Sequence, residues 1–335
     1  MKGIQFIGTQ RSGSNLLRVI LNQSDEIDAP HPPHILKVFM PLLPYYNVFD
    51  KVKRFNMLLD DVIFWVNNNT VDWSKGPLLL EEVKGNCVGD TIYDIFFAVY
   101  KTHALKNNKS IWCCKSLVNV HYASEITNIN KDIHYIYLYR DGRDVAVSFK
   151  KTIVGPKHVY FVAKQWREDQ IAALKFKETI NPSNFSSVCY EELIVDPENV
   201  IKKLCDELSV TFNKNMLSYY TSIESKNAAN SGDMWKNLRS PILKNNYKKY
   251  KVELTESEIS IFENVAQDIL HRLGYQTENF RLLENLDVNH FFILDELMKS
   301  QILSTMSEKE RKVKNIQENF INLLKQRVAQ NIVKL

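Results

Sequence analysis

The chain has 335 residues, enough for one large α/β domain with an appendage or for two modest domains. Its formal net charge of +4 is mild, so a general nucleic-acid-binding role has little support. The five cysteines form no C-x-x-C pair, which indicates reduced, buried thiols. The first predicted strand begins near Gly3 and no run approaches ~18 apolar residues, so we expect a cytoplasmic protein without a signal peptide or membrane span.

A glycine loop follows the first predicted strand. Gly8 and Gly13 keep the spacing of the phosphate-binding loop G-x-x-x-x-G-K-[ST], in which backbone N–H groups and a helix N-terminus hold an anion. Ser14 stands where that loop has its lysine, and Asn15 stands where a hydroxyl would bind Mg²⁺. Arg11 is the one cation in the loop. The pattern predicts a ligand that carries less charge than a triphosphate and needs no metal, as a sulfuryl donor does.

Buried parallel strands are predicted by four short apolar runs: Ile4–Ile7, Ile111–Cys114, His134–Tyr139 and Ser187–Tyr190. Each run is followed by a polar turn and helical periodicity, so we predict an α/β fold with an open, doubly wound, mostly parallel sheet. Ligands of such sheets bind at the carboxyl ends of the strands. Because Arg11, Lys115 and Arg140 follow three of these runs, we expect three cations at one edge of the sheet.

The remaining segments are predicted to be mainly helical. Residues 30–44 are rich in proline and predict an irregular lid or substrate-facing segment. Helices are predicted over Phe49–Asn69, Pro197–Leu208 and Thr255–Leu273, the last begun by a capping box. We place a main domain at residues 1–280 and an extension at 281–335, whose amphipathic helices dock on the core or on a second copy in a homo-oligomer.

Two further motifs follow the third and fourth runs. Arg140 comes directly after the third run, an Asp-Gly turn follows, and Ser148 lies eight residues after Arg140 in the next predicted helix. A guanidinium and a hydroxyl in this arrangement can reach one phosphate. The last residue of the fourth run, Tyr190, begins the sequence Tyr-Glu-Glu-Leu.

Together these motifs resemble the sulfotransferase family that uses 3′-phosphoadenosine-5′-phosphosulfate (PAPS), over roughly residues 3–275. The resemblance implies a P-loop-like three-layer fold and sulfuryl transfer from PAPS, without a metal, to a hydroxyl or amine. The acceptor is left open among carbohydrate, lipid, phenol and peptide. By the resemblance, the glycine loop binds the 5′-phosphosulfate, Arg140 and Ser148 bind the 3′-phosphate, and Tyr190 contacts the adenine. The nucleotide site so implied consists of Arg11, Ser12, Gly13, Ser14, Asn15, Leu16, Arg140, Ser148 and Tyr190.

Sulfuryl transfer passes through a loose, in-line transition state, so the protein mainly positions the reactants and stabilises charge. Arg11 and Lys115 can supply the cations that the leaving phosphate needs. Lys115 also matches, by its position just after a strand, the family lysine that contacts the transferring group.

The position of the catalytic base differs from that in the family's cytosolic branch, where a histidine follows the strand-end lysine. Leu117 occupies that position here. The chain is closer to the bacterial and protein-tyrosine sulfotransferase branch, whose glutamate lies about twenty residues after the loop arginine. In this region the chain reads Ala-Pro-His-Pro-Pro-His, so His31 or His34 is the predicted base, with His121 in reserve. A histidine base would titrate near its reference pKa of ~6.5.

Two alternatives to a sulfotransferase remain. A nucleotide-dependent kinase on the same sheet is disfavoured by the missing lysine and Mg²⁺ ligand. A nucleotide-binding module that has lost its base is supported by the absent cytosolic-type histidine alone. Residues 231–239 loosely resemble the loop that covers the nucleotide in the cytosolic branch, but the match is too short to add them to the site.

Overall fold

The computed structural model describes residues 1–69, 71–231, 233–277, 283 and 286–332. The strands of this part of the chain are β1 (Lys2–Ile7), β2 (Ile27–Asp28), β3 (Ile111–Cys114), β4 (Ile133–Tyr139) and β5 (Phe185–Cys189). They form one parallel sheet in the order β2-β3-β1-β4-β5. The predicted α/β fold with a parallel sheet is confirmed, and each predicted strand is present.

Helices fill the connections between the strands. The α-helices of the described residues are α1 (Ser14–Leu21), α2 (Ile35–Phe39), α3 (Lys51–Asn67), α4 (Leu80–Lys84), α5 (Ile92–Lys106), α6 (Ala123–Ile129), α7 (Gly142–Lys150), α8 (Val159–Thr179), α9 (Tyr190–Val195), α10 (Pro197–Leu208), α11 (Ile223–Asn230), α12 (Tyr250–Glu253), α13 (Glu256–Arg272), α14 (Val288–Ser304) and α15 (Glu308–Ile332). Short 3₁₀-helices cover Met40–Tyr45, Leu117–Tyr122, Pro182–Asn184, Lys214–Thr221 and Asp233–Arg239. The predicted helices correspond to α3, α10 and α13. Thr255 caps α13 through the predicted box.

Successive residues of a strand point to opposite faces of the sheet, which divides the core. Tyr135 and Tyr137 of β4 pack on one face with residues of α3 and α5. Ile136 and Leu138 pack on the other face with residues of α1 and α10. Both faces of the sheet are therefore covered, and the carboxyl ends of its strands carry the loops in which the predicted site lies.

The segment 30–44 is more regular than predicted. It contains α2 and most of a 3₁₀-helix, although its proline content predicted an irregular lid or substrate-facing segment, and its residues His31 and His34 line the cavity described below. Leu36 and Phe39 are fully buried in the core beside the sheet. Burial of these two side chains stabilises the helices despite the neighbouring prolines, so the segment is part of the core.

Two helices are present in the predicted C-terminal extension. In α14, the Asp295 carboxylate accepts hydrogen bonds from the backbone N–H groups of Lys157 and His158 at 2.5 and 2.7 Å. In α15, Phe320 stacks on Phe64 with ring centres 5.0 Å apart. Residues 281, 282, 284, 285 and 333–335 of the predicted extension lie outside the described residues. Among the described helices, none combines the length and apolar character needed to cross a membrane.

Candidate active site

A cavity of about 530 Å³ opens at the carboxyl ends of β1, β3, β4 and β5. The predicted convergence of cations is found here, because the residues that follow three of these strands line the same cavity. The predicted site residues that line it are Arg11, Gly13, Ser14, Asn15, Leu16, His31, His34, Lys115, Arg140, Ser148 and Tyr190. Ser12 is the exception, because it is fully buried and does not line the cavity.

The backbone of the glycine loop requires both of its glycines. Gly8 has φ +128°, and a Cβ at this position would lie 2.4 Å from the Leu138 carbonyl oxygen. Gly13 has φ +90°, and its Cβ would lie 2.2 Å from the Tyr190 ring. Since L side chains rarely adopt these φ values, other residues would be strained as well as crowded. No side chain caps the helix that starts at Ser14, so its first N–H groups can bind an anion.

Two arginines meet between the loop and α7. The Arg11 Nε donates a hydrogen bond to Ser148 Oγ at 3.0 Å, and the Arg140 Nη1 donates to the Arg11 carbonyl oxygen at 3.3 Å. Arg140 also lies 3.6 Å from Asp144, and its Nε is buried without a partner among the described residues. Burial and the neighbouring Arg140 lower the pKa of Arg11 to about 10. Two guanidinium groups held this close favour a ligand with several negative charges.

Lys115 adds a third cation at the end of β3. It is 8 % exposed, and burial together with Arg18 and Arg11 lowers its pKa to about 7. Its ammonium has no ion-pair or hydrogen-bond partner among the residues that the structure describes. Asp144 is the one carboxylate among the described lining residues, and it accepts hydrogen bonds from the backbone N–H groups of Lys248 and Tyr250. The ammonium of Lys115 is thus available to an anion.

The two candidate bases face the cavity from the turn that follows β2. His31 is 5 % exposed, and neither ring nitrogen has a partner among the described residues. His34 places its Nδ1 2.9 Å from Ser116 Oγ. Burial first, and then the Lys115 charge, lowers the pKa of both imidazoles well below 6.5. The predicted titration near the reference value is therefore wrong for the free protein, in which both histidines are neutral at pH 7.

A sequence model of the sulfotransferase family matches residues 4–214. The chain belongs to the sulfotransferase family. A comparison with curated proteins gives no match.

Two solved structures have a similar fold. The sulfotransferase domain from the curacin biosynthetic pathway is 18% identical, with a TM-score of 0.56 over 83% of this chain and 99% of that domain. The sulfotransferase domain of the Synechococcus PCC 7002 olefin synthase is 19% identical, with a TM-score of 0.51 over 78% of this chain and 93% of that domain. At these identities the likeness concerns the fold alone, and it confirms the P-loop-like architecture.

His121 does not belong to the site of this sulfotransferase. Its side chain is 43% exposed, and its Nε2 lies 2.8 Å from Asp169 Oδ1, which raises its pKa. Leu117, which replaces the cytosolic-type histidine, does line the cavity. His121 lies in the 3₁₀-helix after β3 and is not among the described residues that line the cavity, which disfavours the reserve assignment of the base to His121.

The predicted site lacks a segment that covers the cavity, residues 234–249, many of which line it. The Arg140 Nη2 donates to the Asn246 carbonyl oxygen at 2.9 Å, and the Asn246 Nδ2 donates to Tyr190 Oη at 2.6 Å. Trp235 packs edge-on against His31, with ring centres 4.8 Å apart. The resemblance over 231–239 was a signal for Trp235, although Gly232 lies outside the described residues. No motif marked Asn246.

The site has polar groups that suit a phosphate. Among the described residues, no group of three or more His, Cys, Asp and Glu side chains could hold a metal. The unpartnered Nε of Arg140 and the uncapped N-terminus of α1 can each donate a hydrogen bond to a phosphate oxygen.

Proposed function

We propose that this member of the sulfotransferase family transfers a sulfuryl group from PAPS to a hydroxyl or amine of its acceptor, without a metal. One observation carries the proposal. Arg11 and Ser148 belong to two separate predicted phosphate-binding motifs, 137 residues apart, and they are joined by a 3.0 Å hydrogen bond. The two halves of one bisphosphate site would therefore lie next to each other.

The charge around the cavity supports a polyanionic nucleotide. The described lining residues include one carboxylate and six basic side chains: Arg11, Lys115, Arg140, Lys151, Lys236 and Lys249. In this proposal, Arg140 and Ser148 hold the 3′-phosphate and Tyr190 contacts the adenine. Backbone N–H groups from Ser12 to Leu16 hold the 5′-phosphate, with the side chains of Ser14 and Asn15 beside them.

Bound PAPS supplies an activated sulfuryl group, and the chain supplies positioning and charge. A neutral His31 or His34 accepts the proton of the acceptor while the acceptor oxygen or nitrogen bonds to sulfur. Arg11 and Lys115 stabilise the negative charge that the 5′-phosphate gains as its bond to sulfur breaks. The leaving group is then adenosine 3′,5′-bisphosphate, and the protein holds it through the same arginines.

Nucleotide binding and transfer can be tested separately. We expect adenosine 3′,5′-bisphosphate to raise the melting temperature in the presence of EDTA, since a ligand at 100 times its Kd stabilises the fold by about 2.7 kcal/mol. ATP with Mg²⁺ is the comparison ligand. A shift that requires Mg²⁺, or that ATP gives and the bisphosphate does not, would point to a kinase instead. Incubation with ³⁵S-labelled PAPS and a panel of phenols, sugars, lipids and amines then tests transfer.

A further inference from the structure

The turn that carries both histidines is anchored from outside the cavity by two tryptophans. The Trp73 Nε1 donates a hydrogen bond to the His31 carbonyl oxygen at 2.6 Å, and the Trp65 Nε1 donates to the Pro33 carbonyl oxygen at 2.7 Å. Three residues of the turn are prolines and have no backbone N–H. Hydrogen bonds that hold the main chain of this turn must therefore be accepted mostly by its carbonyl groups. Neither tryptophan lines the cavity.

Trp73 is itself held by a buried histidine–aspartate pair. Its ring centre lies 4.6 Å from that of His103, a residue of α5 that is 2 % exposed. The His103 Nδ1 lies 2.6 Å from Asp28 Oδ2, and its Nε2 lies 3.0 Å from the Ser74 carbonyl oxygen. Both ring nitrogens thus have hydrogen-bond partners, which fix the orientation of the imidazole. Asp28 ends β2, three residues before His31, so the pair joins Trp73 to the start of the histidine turn.

The two histidines differ in what their rings contact. His34 already has a polar partner, since Ser116 Oγ lies 2.9 Å from its Nδ1. His31 lines the cavity, yet both of its ring nitrogens are buried without a partner among the described residues. A buried polar group of this kind normally finds a partner, and a molecule that enters the cavity can provide one. His31 is thus the histidine placed to meet the acceptor.

We propose that Trp73 is a positioning residue for sulfuryl transfer: its indole N–H fixes the main chain of His31, so that the imidazole faces the acceptor. The inference rests on the function proposed above. Trp73 does not touch a substrate in this arrangement. It acts by restricting the His31 backbone, and a displacement of a reacting group by as little as ~1 Å can slow an enzyme by about 100-fold.

The test compares Trp73→Phe with Trp65→Phe, which removes the other indole anchor of the same turn. The His31 ring is followed by NMR of ¹⁵N-histidine-labelled protein, with His31→Gln to assign its signals. In the wild type, burial lowers the His31 pKa most, and the charges of Lys115, Arg18 and His34 lower it further. We expect Trp73→Phe to raise the His31 pKa towards ~6.5 by admitting water, and Trp65→Phe to change it less.

The second readout is PAPS hydrolysis, in which water replaces the acceptor. The water oxygen bonds to sulfur, the sulfur–phosphate oxygen bond breaks, and the base takes the proton. Trp73→Phe should slow this reaction by about 10- to 100-fold, while bisphosphate affinity stays at the wild-type value. Replacing Trp73 by β-(3-benzothienyl)alanine removes the N–H alone and should give the same result if Trp73→Phe fails to fold.

Three results would overturn the inference. They are a wild-type His31 pKa in both Trp73 variants, an unchanged hydrolysis rate in both, or an equal effect from Trp65→Phe. A wrong proposed function would give a different set of results. The wild type would then neither hydrolyse PAPS nor bind the bisphosphate, whereas the NMR comparison of the tryptophan variants would still report how His31 is held.

Discussion

The guanidinium of Arg140 lies 4.3 Å from the centre of the Tyr190 ring. Asn246 bridges the pair, because its carbonyl oxygen accepts from Arg140 and its side-chain amide donates to Tyr190 Oη. The ends of β4 and β5 are thereby joined to the segment that covers the cavity. The proposed 3′-phosphate and adenine contacts share this cluster, so nucleotide binding should depend on all three side chains together.

Arg140→Ala should weaken the binding of adenosine 3′,5′-bisphosphate by roughly 2–5 kcal/mol, since it removes a buried, charge-assisted contact. Ser148→Ala should cost less, because a neutral hydroxyl contributes a weaker hydrogen bond. Calorimetric titration without Mg²⁺ measures both effects. Arg167→Ala is the control, since Arg167 pairs with Asp268 at the surface. Wild-type affinity in Arg140→Ala would remove Arg140 from the phosphate site.

Arg11→Ala should reduce turnover more than bisphosphate affinity. Arg11 is expected to act on charge that the 5′-phosphate gains in the transition state, and such an interaction contributes to kcat. Single-turnover rates and binding constants for Arg11→Ala and Arg11→Lys separate the two effects. The lysine variant keeps the charge but loses the forked geometry of the guanidinium, so it should recover part of the rate. Equal losses in rate and affinity would mean that Arg11 holds only the ground state.

Gly13→Ala should destabilise the fold and abolish bisphosphate binding. The added Cβ would combine a φ of +90° with a 2.2 Å approach to the Tyr190 ring. Gly274→Ala is a matched control, because Gly274 has φ +85° and its added Cβ would meet no atom of the described residues within 4 Å. The control carries the backbone strain of about 1–2 kcal/mol without the collision. Equal losses of melting temperature in the two variants would mean that the Tyr190 ring moves aside freely.

The sequence predicted those parts of the site that follow from local pattern. Gly8 and Gly13 have a fixed spacing, and the cations follow apolar runs, so the edge of the sheet where they meet could be inferred. Trp73 and Asn246 could not be found in this way, because their bonds to His31 and Arg140 join distant segments and depend on tertiary packing. β2 was missed because a strand of two residues has no detectable period.

Bisphosphate binding at pH 8 should take up close to one proton through Lys115. Its pKa of about 7 makes the amine mostly neutral at this pH, and a bound anion favours the ammonium and raises the pKa. Uptake should therefore decline as the pH falls below 7, where the free protein already carries the proton. Calorimetry in two buffers of different ionisation enthalpy measures the proton number. Lys115→Met should abolish most of the uptake, and an unchanged proton number would assign it to another group.

The pH dependence of transfer should identify the base. In the free protein the His31 pKa is held well below 6.5, so kcat/KM should lack a rise near ~6.5 and decline only at lower pH, where the imidazole gains its proton. Bound PAPS adds negative charge and raises this pKa, so the acidic limb of kcat should lie at higher pH than that of kcat/KM. His31→Ala should lower kcat by roughly 10²–10⁴-fold with nearly unchanged bisphosphate affinity, and His34→Ala by less. His121→Ala is the control and should keep the wild-type profile. An inactive His121→Ala beside an active His31→Ala would place the base after β3 instead.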